Sequence, residues 1–495
     1  MKTINQIHEE LISKKKTVRQ VVEEAIFIIK NNEKKFNINL KEENNINAIL
    51  GFYSNNFLDE EIVKAQNIID QKILEGKIEE INIFTGIPIV LKDNIMVAGE
   101  INTAASKMLE NYVSPYDASV VAKLKEVGAI LLARANMDEF AMGGSGENSA
   151  FGATKNPIDK LRVPGGSSSG SAATVSYGAV SIALGSDTGG SARLPAAFCN
   201  LVGFKPTYGS ISRFGLMAMG SSLDQISPIA NNVSGAEALF ELLSFYDKND
   251  ATSLSQDIRI KNKDTENNLK KKIGIPKILN DEKILYGIDK NILENFEKQI
   301  EKFKNIGYEI VEVDLPNLDK ALAVYYIITP AEVSSNMGRY DGVRYGNFVT
   351  GKNTIDNFIN SRTQGLGDEV RLRILVGTYL LSAGYFDTYY NKALQVREIL
   401  KKEFAKVFEE VDAILTPVSP VMPWKFGEKS DPLAMYLADI FTVTANIIQI
   451  PAISIPTKKW NEINENNLPI GIQLLGKWYE DKKIFKIAKE FEAVI

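Results

Sequence analysis

RVPGGSSSGSAATVSYGAVSIALGSDTGGSARLP, residues 162–195, places eight serines and seven glycines in the 27 positions from Gly165 to Ser191. A loop of that composition is ordinarily a turn-rich connector. Here it is interrupted by the helix-like AATVSYGAV and the strand-like SIAL, so it reads as two tight turns, GGSSSG and GSDTGGS, each attached to a buried element. In the second turn glycines adjoin a serine, which lets successive backbone amides converge on one point beside a hydroxyl. Amides converging in that way form an oxyanion hole. GGSSSG taken alone also admits a phosphate nest.

A serine nucleophile needs a base, and the inventory narrows the choice. The only imidazole is His8, in a stretch that reads as an N-terminal surface helix, so a Ser-His-Asp or Cys-His mechanism would require that residue to reach a distant loop. The single cysteine, Cys199, excludes an intramolecular disulfide framework and a multi-cysteine zinc site. HExxH, GxGxxG and GxxxxGK[ST] are all missing, which removes the zincin, dinucleotide and Walker readings; an all-carboxylate magnesium site stays open. A lysine can replace histidine if burial lowers its pKa toward neutrality. Lys92 is the leading candidate, at the end of the apolar run GIPIVL, whereas most lysines lie in solvated runs such as KNKDTENNLKKK. The competing reading of Lys92 is a strand-end side chain reaching solvent.

With 495 residues, 44% of them hydrophobic and 24% charged, and a net charge of -5, the chain has the composition of a soluble globular protein. Mild acidity argues against broad nucleic-acid binding. The start, MKTINQIHEELISKKK, lacks the apolar stretch of a signal peptide, and there is no apolar run of about 18 residues to cross a bilayer, so a cytoplasmic protein is expected.

Residues 1–75 read as a helical region packed on the main domain, with Val18, Val21, Val22, Ala25, Ile26 and Ile29 at helical spacing and a capping box from Thr17 to Gln20. From Phe84 short apolar runs bounded by glycine alternate with helices. IFTGIPIVLKDN reads as a buried strand. DASVVAKLKEVGAILLARANM reads as a helix capped at or near Asp117, closed at Gly128 and followed by a strand through Leu131 and Leu132. The polar stretch 246–272 is expected to be an exposed excursion, KIGIP a strand, and about 285 to 410 mainly helical. VDAILTPVSPVMP, IPAISIP and LPIGIQLLG read as further buried strands. The alternation implies an α/β layered sheet, with residues 76–495 as one large domain.

These residues resemble the amidase signature family. GGSSSGSAATVSYGAVSIALGSDTGGSARLPAAFCNLVGFKPTYG is similar to its defining segment and GIPIVLKDN to its lysine motif. The resemblance implies a mixed, twisted central sheet covered by helices on both faces. It maps the family's catalytic lysine, bridging serine and nucleophilic serine onto Lys92, Ser167 and Ser191, the two serines 24 residues apart as in the family motif. Neutral Lys92 would take a proton from Ser167, which relays it from Ser191 through a cis-peptide geometry. The amides of Thr188, Gly189, Gly190 and Ser191 would hold the oxyanion, and Asp187 and Arg193 would brace the turn by a salt bridge. Ser169 departs from the family, which more often has glycine there.

Within the family, NMDEFAMGGSGENSAFG, YYIITPAEVSSNMGRYDGVRYG, GDEVRLRILVGTYLLSAGYFDTYY and DPLAMYLADIFTVTANIIQIPAISIP resemble the glutaminase A subunits of tRNA-dependent amidotransferases. That branch implies Arg373 for the glutamine α-carboxylate, Asp439 for its α-ammonium and Tyr325 as a pocket wall. It implies ammonia supplied to a B subunit that amidates Glu-tRNA(Gln), with Asp-tRNA(Asn) as an additional acceptor, and a small C subunit wrapped around this chain. ATP and magnesium would serve the partner's step, tRNA would be held mainly by the B subunit, and this chain would bind no cofactor, no metal and no membrane. Two alternatives stand beside it: an amidase acting alone on another small amide, and a scaffold subunit that has lost turnover.

Overall fold

Apolar runs bounded by glycine and proline become buried strands. In the computed structural model, which describes every residue except 38, 262–268, 281–286 and 429–436, eleven strands form one sheet: β1 (Ile49–Phe52), β2 (Pro88–Lys92), β3 (Ile130–Ala135), β4 (Ile182–Asp187), β5 (Val202–Lys205), β6 (Gln225–Ala230), β7 (Lys272–Pro276), β8 (Glu309–Val313), β9 (Ala413–Pro417), β10 (Ala452–Pro456) and β11 (Gly471–Gly476). Their order is β1-β3-β2-β4-β6-β5-β10-β11-β9-β7-β8. The sheet is mixed. β3, β2 and β4 run parallel, as do β9, β7 and β8, and antiparallel pairs join the two groups.

Helices cover both faces, as alternation along β5 shows. A side chain at Gly203 would meet Ala196 of the Arg193–Phe198 helix. The next residue, Phe204, meets Phe240 edge-on and Phe485 at a tilt, on the Val233–Leu243 and Asp481–Glu492 helices. Successive strand residues face opposite ways, so these helices lie on opposite sides. One apolar cluster runs from Ile7 and Val21 through Ile89 and Leu131 to Ile472 and Phe491.

The topology fixes where chemistry can occur. β2 and β4 are parallel, with Val90 opposite Ala183 and Leu91 opposite Leu184, so their C-terminal ends, Lys92 and Asp187, open at the same edge of the sheet. That is the edge at which open α/β sheets place ligands.

The N-terminal helices Ile4–Ile12, Val18–Asn32 and Asn55–Leu74 form as expected, with the Thr17–Gln20 capping box in place. Between them β1 pairs with β3 as the edge of the main sheet, an element too short for its periodicity to show. Asp117 does not cap the next helix, Ser119–Glu126, whose cap is Ala118. Its carboxylate instead accepts from Ala98 N–H at 2.8 Å and Lys125 Nζ at 2.9 Å, a stronger use of a charge than a lone cap. Gly128 ends that segment at φ +75°.

In the stretch from 246, Tyr246, Lys248, Asn249, Ala251, Ser255, Gln256 and Asp257 are exposed, while Asp247 is buried and anchors it by accepting from the Ser119 and Ser212 hydroxyls at 2.5 Å each, and Leu254 N–H donates to Gly209. Residues 262–268 of that stretch lie outside the described residues. The helical run from 285, whose first two residues also lie outside them, is broken by β8, where EIVEV, with Glu309 and Glu312 exposed and Val313 buried, pairs with β7 as the other edge of the sheet.

Candidate active site

GGSSSG leads into the Ser169–Ser176 helix, and GSDTGGS runs from the end of β4 into the Arg193–Phe198 helix. Ser168 N–H donates to Ser191 O at 3.0 Å, so the two turns lie side by side. The Gly166–Ser167 peptide is cis.

Lys92 is fully buried and its Nζ stands 2.7 Å from Ser167 Oγ. Burial pulls its pKa down to about 7, against the opposing pull of Asp138, Asp187 and Asp224. A neutral amine has two N–H bonds and one lone pair. Ser186 offers two acceptors, its hydroxyl at 2.9 Å and its carbonyl at 3.4 Å, which leaves the lone pair for the Ser167 hydroxyl. Ser191 is buried, and its hydroxyl forms no hydrogen bond to Ser167 or any other side chain among the described residues.

The turn carrying Ser191 is held by a buried ion pair. Arg193 meets Asp187 in two parallel bonds of 3.0 Å from Nε and Nη2, both side chains fully buried; Nη2 also donates to Asn446 at 2.7 Å, and Nη1 donates to Gln473 at 3.0 Å. Burial alone would raise the Asp187 pKa; the guanidinium holds it well below the usual carboxylate range. Asp187 also takes the Gly190 N–H at 2.9 Å. Among the amides expected to face an oxyanion, that of Gly190 thus has an acceptor inside the turn. The amides of Thr188, Gly189 and Ser191 have no acceptor among the described residues.

Two of the residues expected to bind substrate lie close to this turn, Tyr325 against Gly189 and Asp439 through Thr442. A Cβ at Gly189 would fall 2.6 Å from Tyr325 Cζ, and one at Gly190 would fall 2.4 Å from Thr442 Oγ1, so the Tyr325 ring and Thr442 lie directly on the glycines. Tyr325 is buried, and its hydroxyl is pushed up by burial in a field set by both Arg373 and Asp439. Arg373 comes from the Asp368–Leu380 helix; its Nε donates to Glu369 Oε1 at 2.7 Å, and its two terminal nitrogens have no hydrogen bond to a described residue. Asp439 is half-buried, accepts from Tyr326 Oη at 3.1 Å, and has its pKa raised to about 7 by burial. Its backbone carbonyl accepts from Thr442, whose hydroxyl donates to Gly189 O at 2.7 Å.

A family model described as Amidase matches residues 44–485. The chain belongs to the amidase family. Among its relatives, the glutamyl-tRNA(Gln) amidotransferase A subunit 2 of Clostridium acetobutylicum is 45% identical over 99% of this chain and 98% of its own length. The corresponding A subunit of Thermotoga maritima is 46% identical over 83% of this chain and 84% of its own. The crystal structure of the Thermotoga maritima protein has a TM-score of 0.71 at 39% identity, covering 97% of this chain and 94% of that one. Allophanate hydrolase of Kluyveromyces lactis has a TM-score of 0.80 at 27% identity, covering 100% of this chain and 72% of that one.

This amidase uses residues that the sequence reading did not single out. Ser186, the second partner of Lys92, is oriented by Asn94 at 3.0 Å. Asp224 accepts from the Thr188 hydroxyl at 2.7 Å and from the Met219 and Gly220 amides, which fixes the start of the turn. Thr442, Asn446 and Gln473 arrive from far along the chain. Ser186 and Asn94 stand within the motifs quoted around Ser191 and Lys92, and Thr442 and Asn446 within the stretch quoted around Asp439, but no spacing sets them apart there.

Proposed function

We propose that this chain is the glutaminase subunit of a tRNA-dependent amidotransferase, hydrolysing L-glutamine through Lys92, Ser167 and Ser191. The observation that carries the reading is the buried 2.7 Å contact of Lys92 Nζ with Ser167 Oγ, at the strand ends where the Ser191 turn also lies. Neutral Lys92 accepts the Ser167 proton, Ser167 takes the Ser191 proton, and Ser191 Oγ forms a bond to the amide carbon. The amides of Thr188, Gly189 and Ser191 stabilise the oxyanion. Collapse breaks the carbon–nitrogen bond, the relayed proton returns to the leaving nitrogen, and ammonia departs. Water, deprotonated through the same relay, then hydrolyses the glutamyl ester and frees glutamate.

Arg373 binds the substrate α-carboxylate with the nitrogens that Glu369 leaves open, and Asp439 pairs its α-ammonium. A free amino acid supplies the two charges this pocket lacks. The ammonia serves a B subunit that converts Glu-tRNA(Gln) to Gln-tRNA(Gln), and Asp-tRNA(Asn) to Asn-tRNA(Asn) by the same step, with ATP and magnesium used there. A small C subunit completes the heterotrimer. No helix among the described residues is long and apolar enough to cross a membrane, and the cytoplasm is the compartment of this reaction.

The test is glutamate release from L-glutamine by the chain co-expressed with B and C subunits. Ser191→Ala is expected to lower turnover by about a thousandfold or more with folding retained, and Glu-tRNA(Gln) with ATP to stimulate the parent. Undiminished turnover in Ser191→Ala refutes the nucleophile. A stable complex without release makes the chain a scaffold, and turnover of simple amides without complex formation makes it a stand-alone amidase.

A further inference from the structure

Asp138 and Glu139, adjacent in NMDEFAMGG, send their carboxylates to different places. Asp138 accepts from the Gly146 and Asn148 amides at 3.0 and 2.9 Å, and its own N–H donates to Ser167 O at 3.3 Å, so it belongs to the wall behind the relay serine. Glu139, also buried, accepts from the Ser106 hydroxyl and, at 2.8 Å, from the Gly367 N–H. Ser106 Oγ lies 3.1 Å from Gly365 O as well, so the pair grips both sides of the junction between the Thr354–Gly365 and Asp368–Leu380 helices.

Gly367 is the N-cap of the Asp368–Leu380 helix and has no side chain with which to cap it. The Glu139 carboxylate, from 228 residues away, takes the N-cap's own N–H, as the N3 side chain of a capping box would, and stands as an anion at the positive end of the helix dipole. The same helix has a second fixed point. At Gly377 its backbone presses on the Ala321–Asn336 helix so closely that a Cβ would fall 1.8 Å from Pro330 O. Arg373 lies between these two points. Releasing the first leaves the helix free to pivot about the second, which displaces the guanidinium and leaves Lys92, Ser167 and Ser191 on the sheet.

We infer that Glu139 is a positioning residue that sets the preference for glutamine over amides without an α-carboxylate, by holding the helix that carries Arg373. The inference rests on the role given to Arg373 above and adds a residue that does not touch substrate.

The experiment compares hydrolysis of L-glutamine and butyramide by the full chain co-expressed with its partner subunits. In Glu139→Ala the KM for glutamine is expected to rise about tenfold with kcat changed by less than about threefold, and the preference over butyramide to fall in proportion. Glu139→Gln, whose amide oxygen still accepts the Gly367 N–H, restores the parent KM. Gly367→Ala perturbs the same contact with Glu139 intact, since its Cβ would fall 2.4 Å from Glu139 Oε2; it is expected to reproduce the KM effect and carries the test if Glu139→Ala does not fold. Combined with Arg373→Ala, Glu139→Ala adds no further loss. Equal kcat losses on both amides, or additive effects in the double variant, overturn the inference. A parent enzyme with no preference for glutamine overturns the functional reading, and the inference with it, before any variant is compared.

Discussion

Lys92 shows how one residue's surroundings decide its chemistry. At the surface it would be a permanently charged ammonium; enclosed at the end of β2, with its pKa pulled down to about 7, it gives up its proton near neutral pH, as the proposed base must. The sign follows directly. The base works when unprotonated, so kcat/KM for glutamine is expected to be level above about pH 7 and to fall toward tenfold per unit below it. Asp439 titrates in the same range, so the profile is to be repeated in Asp439→Asn, where the acid limb persists although KM rises. Loss of the limb in that variant would assign it to the carboxyl instead. Motif spacing singles out Lys92, Ser167 and Ser191 in the sequence, and the structure sets Lys92 Nζ 2.7 Å from Ser167 Oγ. Ser186 was not legible there, because nothing local marks one serine among many as the acceptor of a lysine 94 residues away.

At the scale of the element, the nucleophile turn owes its shape to a charge that never meets solvent. Asp187 accepts from the Gly190, Ala192 and Arg193 amides while Arg193 neutralises it. Removing one partner of a buried pair leaves an uncompensated charge, which costs about 3–5 kcal/mol. Arg193→Met is therefore expected to lower the unfolding free energy by that amount in denaturant titrations, and Asp187→Asn in the same chain to recover part of it. A loss under about 1 kcal/mol, the size of an exposed pair, would show that water screens the site. The salt bridge was expected from the resemblance. The use of the Gly190 amide was not, since a glycine adjoining a serine reads equally well as an oxyanion donor and as a strut.

Over the whole molecule, the N-terminal helices are joined to the sheet by a buried carboxyl. Glu33, just past the Val18–Asn32 helix, accepts from Ala48 N–H at 2.9 Å at the entrance to β1, and burial raises its pKa to about 8. The folded state thus holds a proton that the unfolded chain gives up near pH 4.5. The stability it contributes is complete below that value and is lost as pH rises through about 8. Glu33→Gln, which keeps an uncharged acceptor, is expected to flatten the decline in Tm between pH 5 and 8; parallel Tm curves for the two proteins would refute the assignment.

Taken alone, the sequence determined the layered α/β class, the buried strands at β2, β3, β4, β9, β10 and β11 and the two serine-glycine turns, and its motif spacing singled out Lys92, Ser167 and Ser191 as candidates for the proposed proton relay. Each of these is written in short-range patterns: apolar runs, glycine at positive φ, fixed motif spacing. Tertiary structure decided the rest. It placed β1 and β8 at the sheet edges, spent the Gly190 amide on Asp187, set Tyr325 on Gly189, and brought Glu139 to Gly367. Strand order sets the edges, helix packing joins Tyr325 to Gly189 and Glu139 to Gly367 across 136 and 228 positions, and the Gly190 bond depends on how the turn is folded; none of these leaves a periodic trace along the chain.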